Sequence, residues 1–118
     1  MEQLRNVNHG FDIDKGDVGV TVRKGSKWYD YRDNDKFELR VCPAGHNGVC
    51  NSLCKKVGVG RKIGAWRGTF ANLPKNLLKI EHNRKARDKE TLRSMLEIAY
   101  GSIAPNDTVT ALIYVRDE

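Results

Sequence analysis

The chain has 118 residues, 39% of them hydrophobic and 31% charged, with a formal net charge of +6. That length suits one domain, 1–118 with its core about 16–116, and excludes a second; the aromatic and aliphatic content excludes wholesale disorder. The charge is concentrated: residues 1–54 carry 8 basic and 8 acidic side chains, residues 55–93 carry 12 against 3, and residues 94–118 carry 1 against 4, so the middle of the chain is expected to attract a polyanion or an acidic partner.

In chain order, the first clear element is a strand over Val18–Arg23, with Val18, Val20 and Val22 on one face and Gly19, Thr21 and Arg23 on the other. Lys24-Gly25-Ser26 reads as a turn, and Trp28, Tyr29 and Tyr31 as ring residues at a surface or pocket rim. A second strand spans residues 36–42, where Phe37, Leu39 and Val41 alternate with Lys36, Glu38 and Arg40. The turn-rich "PAGHNGVCNSLC" follows as a loop. In residues 55–70, four glycines interrupt Val57, Val59, Ile63, Trp66 and Phe70, which fits bent or bulged strands of a small barrel. Proline at position 74 opens a helix expected over about 73–82, and Asp88 caps a second over about 88–100, where Leu92, Met95, Leu96 and Ala99 recur at helical spacing before Gly101. Residues 108–116, apolar on both faces, read as a central strand. The fold class is α+β: a small β-barrel with two flanking α-helices.

Several sets of residues could carry chemistry. Neither "GDVGVTVRKGSKW" nor "GVGRKIG" has the spacing or the following helix of a phosphate loop. Three cysteines, Cys42, Cys50 and Cys54, read as thiols or metal ligands rather than a disulfide framework, and with His46 they would make a Cys3His zinc set at nonstandard spacing; no other cofactor is expected. Glu81-His82, His46 beside Cys42 or Cys50, and Thr21 with a nearby lysine are the acid, base and nucleophile candidates. Arg61, Lys62, Arg67, Arg84, Lys85 and Arg87 could contact phosphates while Trp28, Tyr31 or Trp66 stacks a base.

The chain resembles an ASCH domain, a branch of the PUA-like superfamily. The family signature G-x-K-x-x-T-x-R is matched by Gly16, Thr21 and Arg23, and the likeness continues through "WRGTFANLP", "IEH", "ETLRSMLEIAYG" and "VTALIYVR", from Gly16 to Arg116. The resemblance implies a small PUA-like barrel with a cleft for RNA or a nucleobase-like ligand, lined by Thr21 and Arg23. It also implies kinship with an amidohydrolase of acetylated cytidine and with claimed ribonucleases. Val18 stands at the family's catalytic lysine position, which leaves Lys15 or Lys24 to substitute, and Glu81 is the carboxylate closest to the position of its glutamate.

The leading expectation is a noncatalytic RNA-binding module whose cleft is formed by Thr21, Arg23, Lys24, Lys27, Trp28, Tyr31 and Trp66, with the basic surface of residues 55–93 holding phosphates. A hydrolase of an acylated nucleoside or RNA, using Thr21, Glu81 and His82, is the second. A small adaptor or inhibitor docking on an acidic protein is the third.

Overall fold

In a computed structural model, residues 2–7, 10–43 and 53–118 are described. Five strands form one mixed sheet: β1 (Glu2–Val7), β2 (Val18–Lys24), β3 (Lys36–Cys42), β4 (Lys55–Thr69) and β5 (Thr108–Arg116). Their spatial order is β1-β3-β4-β5-β2. Only β1 and β3 run parallel; every other neighbouring pair is antiparallel. Strand β4, 15 residues long, pairs with β3 through its first part and with β5 through the rest, its register shifting between Lys62 and Gly64. The bulge expected from the glycine-rich stretch is therefore a bend in one continuous strand.

The sheet does not close into the barrel anticipated above, since β1 and β2 remain its two edges. It nevertheless curls strongly. Edges of a flat five-stranded sheet would lie roughly 19 Å apart at about 4.8 Å per strand, far beyond the reach of a side chain. Yet Arg23 on β2 donates through Nη2 to the Arg5 carbonyl at 3.0 Å and to Asn6 Oδ1 at 3.1 Å on β1. A guanidinium spans the seam where a barrel would have a ladder.

Alternation on β2 and β5 builds a core on each side of the sheet. Val20 pairs with Ile113 and Val22 with Ala111, and this face meets Phe70, Leu78, Leu92 and Leu96. The opposite face, inside the curl, joins Leu112 and Tyr114 to Leu4, Phe37, Leu39 and Trp28. Gly60 belongs to this inner packing: a Cβ there would lie 2.6 Å from the Phe37 ring and 2.9 Å from that of Tyr114, so only glycine lets both rings close on the strand.

Helix α1 (Lys27–Asp30) is a single turn that buries Trp28 over one end of the curl. Helix α2 (Lys75–Leu78) is far shorter than the expected 73–82. The competing demand comes from the free edge of β2, whose backbone groups need partners: Val20 N–H donates to Ile80 O at 2.9 Å and His82 N–H to Val20 O at 2.6 Å, which pulls the chain out of the helix into a parallel bridge. Helix α3 (Lys89–Tyr100) matches its expectation. The Asp88 side chain accepts from Glu90 N–H at 3.1 Å and Thr91 N–H at 3.2 Å, and Gly101 N–H closes the last turn on Glu97 O. Among the described residues no helix is long and apolar enough to cross a membrane.

Cys42, ending β3, and Cys54, just before β4, are joined in a disulfide. This corrects the reading of both as thiols or zinc ligands, because neither sulfur then offers a thiolate. It also weighs against a reducing compartment. His46 and Cys50 lie outside the described residues.

Candidate functional site

The polar residues of interest gather along the outer edge of β2. Thr21 points into the curl with 0% exposure, and its Oγ1 has no hydrogen-bond partner. Beside it, residues 80–83 lie against the strand. Glu81 is buried there: Oε2 accepts the Val22 N–H at 3.2 Å and Oε1 the Asn83 N–H at 3.3 Å. Burial pushes its carboxyl up to about 7, against the pull of Arg23, of the two N–H groups and of Arg87. Arg87 also donates through Nε to the Glu81 carbonyl at 3.0 Å.

His82 lies fully inside. Its Nδ1 shares a 2.6 Å hydrogen bond with the Tyr114 hydroxyl, its Nε2 is 3.4 Å from Glu81 Oε1, and the Phe11 ring meets it edge-on at 4.8 Å. Burial first, and the Glu81 charge second, push the Tyr114 phenol well above its ordinary value. A phenol that keeps its proton donates to Nδ1, which assigns the imidazole hydrogen to Nε2, facing Glu81. Thr21, Arg23, Glu81 and His82 thus form one neighbourhood, on residues far apart in the chain.

The expected ligand cleft is not assembled. Trp28 is 5% exposed and packs edge-to-face on Tyr31 and Phe37 at 5.3 and 5.2 Å, inside the curl. Trp66 packs against the helix-side core, its indole lying over Gly68, where a Cβ would sit 2.6 Å from the ring. The two indoles therefore sit on opposite sides of the sheet, and neither forms a wall with the other. Tyr31 donates its hydroxyl to Lys36 O at 2.8 Å.

Most of the cations assigned to phosphate are also occupied. Lys62 is 3% exposed, and its Nζ donates to the carbonyls of Tyr29 and Tyr31, capping the chain as it leaves α1. Arg61 pairs with Asp117 at 3.2 Å, Lys27 with Glu2 at 3.1 Å and Lys24 with Asp107 at 3.7 Å, while Arg67 stacks on the Tyr29 ring at 4.2 Å. Arg84 and Lys85 are exposed, and neither side chain has an intramolecular hydrogen bond or ion pair among the described residues. No group of three or more His, Cys, Asp or Glu suited to a metal ion occurs among the described residues.

Comparison with protein-family models, with curated proteins and with solved structures finds no match to this chain. The likeness to ASCH domains accordingly rests on Gly16, Thr21, Arg23 and the order of the later segments.

Sequence reasoning missed Tyr114, Asn83, Asn6 and Arg5 as parts of this neighbourhood. Tyr114 carried a usable signal, as a phenol in a strand apolar on both faces must find a buried partner. Asn6 and Arg5 carried none, because their role depends on the curl bringing β1 to β2.

Proposed function

We propose that the chain is a nucleic-acid-binding module, RNA favoured, that holds phosphates on the stretch from α2 to the start of α3. One observation carries this reading. Lys75, Lys79, Arg84 and Lys85 are all exposed, and the only carboxylate among residues 75–87, Glu81, is buried. The outward surface of that stretch is cationic throughout, and it runs beside the seam held by Arg23. Such a strip attracts a phosphate backbone by releasing its counterions, with modest demand on sequence. The curled, edge-bridged sheet, one ladder short of a barrel, supports kinship with PUA-like domains and a base-sized ligand approaching the seam.

The test is a salt titration with a single-stranded RNA oligomer. Binding should weaken as salt rises, with a logarithmic slope of about −0.7 per phosphate contacted, and R84E/K85E should flatten that slope. Salt-independent binding, or an unchanged slope in the double variant, overturns the reading. Capture of a protein partner that survives nuclease treatment would instead support the adaptor role.

The hydrolase reading also has a specific observation in its favour: an unpartnered Thr21 hydroxyl in the same neighbourhood as a carboxyl poised near 7. Thr21 Oγ would attack the acyl carbon of an acylated nucleoside and pass its proton to Glu81; the leaving nitrogen would take that proton, and water would free the acyl group. Thr21→Ala should then abolish turnover while leaving RNA affinity unchanged, and full turnover in that variant ends the assignment.

A further inference from the structure

Between α2 and α3 the chain has one helical turn of its own, Arg84–Ala86, and few anchors to the sheet. The backbone of this segment meets β2 in a bridge of one residue pair, Val20 with Glu81. Asp12 adds two bonds from the β1–β2 connection, its N–H donating to His82 O at 2.8 Å and its carboxylate accepting the Arg84 N–H at 3.0 Å. One rung further along β2, the Val22 N–H meets no carbonyl of the segment. The Glu81 carboxyl takes that place, and its other oxygen ties back to Asn83 N–H. A titratable side chain thus substitutes for a rung of the sheet, sealed from water. Charged and titratable groups reach it from each element around it: Arg23 on β2, Arg87 past the helical turn, His82 next in sequence and, through His82, Tyr114 on β5.

We propose that residues 79–87 form a proton-controlled strap, lying on β2 when Glu81 is protonated and lifting when it ionises, so that Thr21, Arg23 and the outer edge of β2 become accessible. The physical drive is desolvation. An anion enclosed here loses its water and recovers only part of that loss from two N–H groups and two guanidiniums, whereas a lifted strap returns it to solvent. The neutral acid keeps one oxygen for an N–H and carries no such penalty. Because burial outweighs the favourable contacts and sets the carboxyl near 7, the transition falls in the neutral range. The strap also explains how residues as enclosed as Thr21 and His82 could meet a ligand, whichever ligand that is.

Amide hydrogen exchange, corrected for the intrinsic effect of pH, tests this on the whole chain without any ligand. Protection of the Val22 and Asn83 amides should fall by on the order of 50-fold from pH 5 to pH 8.5. It should stay below the protection of the Leu112 and Tyr114 amides throughout, which marks a local opening. E81Q should show no such pH dependence. Constant protection in the natural protein, strap amides exchanging in step with β5, or E81Q retaining the dependence would each overturn the proposal. If E81Q does not fold, the carbon-13 shift of the Glu81 carboxyl in the natural protein decides. A midpoint near neutrality that moves the strap amides with it supports the strap, and a midpoint near 4.5 defeats it.

Discussion

The two sides of β2 are held by different physics. On the helix side, Val20 and Val22 meet Leu92, Leu96 and Phe70 in an apolar layer, whose stabilisation scales with buried area and does not respond to pH. Within the curl and along the strand's edge, Thr21 and Arg23 belong to a buried polar neighbourhood with Glu81, His82 and Tyr114, in which every donor and acceptor needs a specific partner. Adjacent residues of one strand thus serve opposite ends. The apolar side supplies most of the folding energy, and the polar side supplies groups that can titrate, open and bind.

The largest expected effect lies on the apolar side. Leu96→Ala, deep between α3 and β2, should destabilise the protein by about 3 kcal/mol through lost burial and the cavity left behind, equally at acid and alkaline pH. Denaturant titrations at both pH values check this, and a loss that varied with pH would show that the two sides are coupled. The polar side should show a smaller effect with the opposite dependence. Glu81 has a folded value near 7 against an ordinary 4.5, so the folded state holds that proton more tightly than the unfolded chain. Its contribution is fully present below 4.5, is lost as pH rises through 7, and is flat above that. Stability should therefore decline by about 2 kcal/mol from pH 5 to pH 8, and E81Q should remove most of that decline. Stability rising over that interval, or an unchanged slope in E81Q, would place the responsible group elsewhere.

The same division decides how much could be read from the sequence. Helix α3 was legible to its ends because Asp88, the spacing of Leu92 and Leu96, and Gly101 are local signals written within a few residues of what they control. The alternation of β2, β3 and β5 was legible for the same reason. What failed depended on contacts distant in the chain. The helix expected to Ile80 and beyond gave way to the unpaired edge of β2, some sixty residues earlier. Trp28 and Trp66 both looked like rim residues, and only the sheet's geometry separates them to opposite faces. Lys62 resembled the other cations until the carbonyls of Tyr29 and Tyr31 were seen to claim it. Thr21, Arg23, Glu81 and His82 were each named in advance, but their neighbourhood rests on Tyr114 and on the curl, which no local pattern encodes.

The smallest effect offers the sharpest separation of the two sides. Thr21 and Val22 are adjacent and equally enclosed, so removing a polar atom from one and an apolar group from the other compares the two environments at the same depth. Thr21→Val keeps the shape and deletes a hydroxyl that has no partner; it should stabilise the protein by about 1 kcal/mol, because an unpaired buried hydroxyl carries its full desolvation cost. Val22→Thr puts the same hydroxyl among Leu92 and Leu96 and should destabilise by about 2 kcal/mol. Paired denaturation curves measure both. A loss of stability in Thr21→Val would mean that the hydroxyl is already engaged, by water or by a retained ligand. In that event the inner face of β2 is an occupied polar site, and the contrast drawn between it and the helix side is one of filled chemistry against packed carbon.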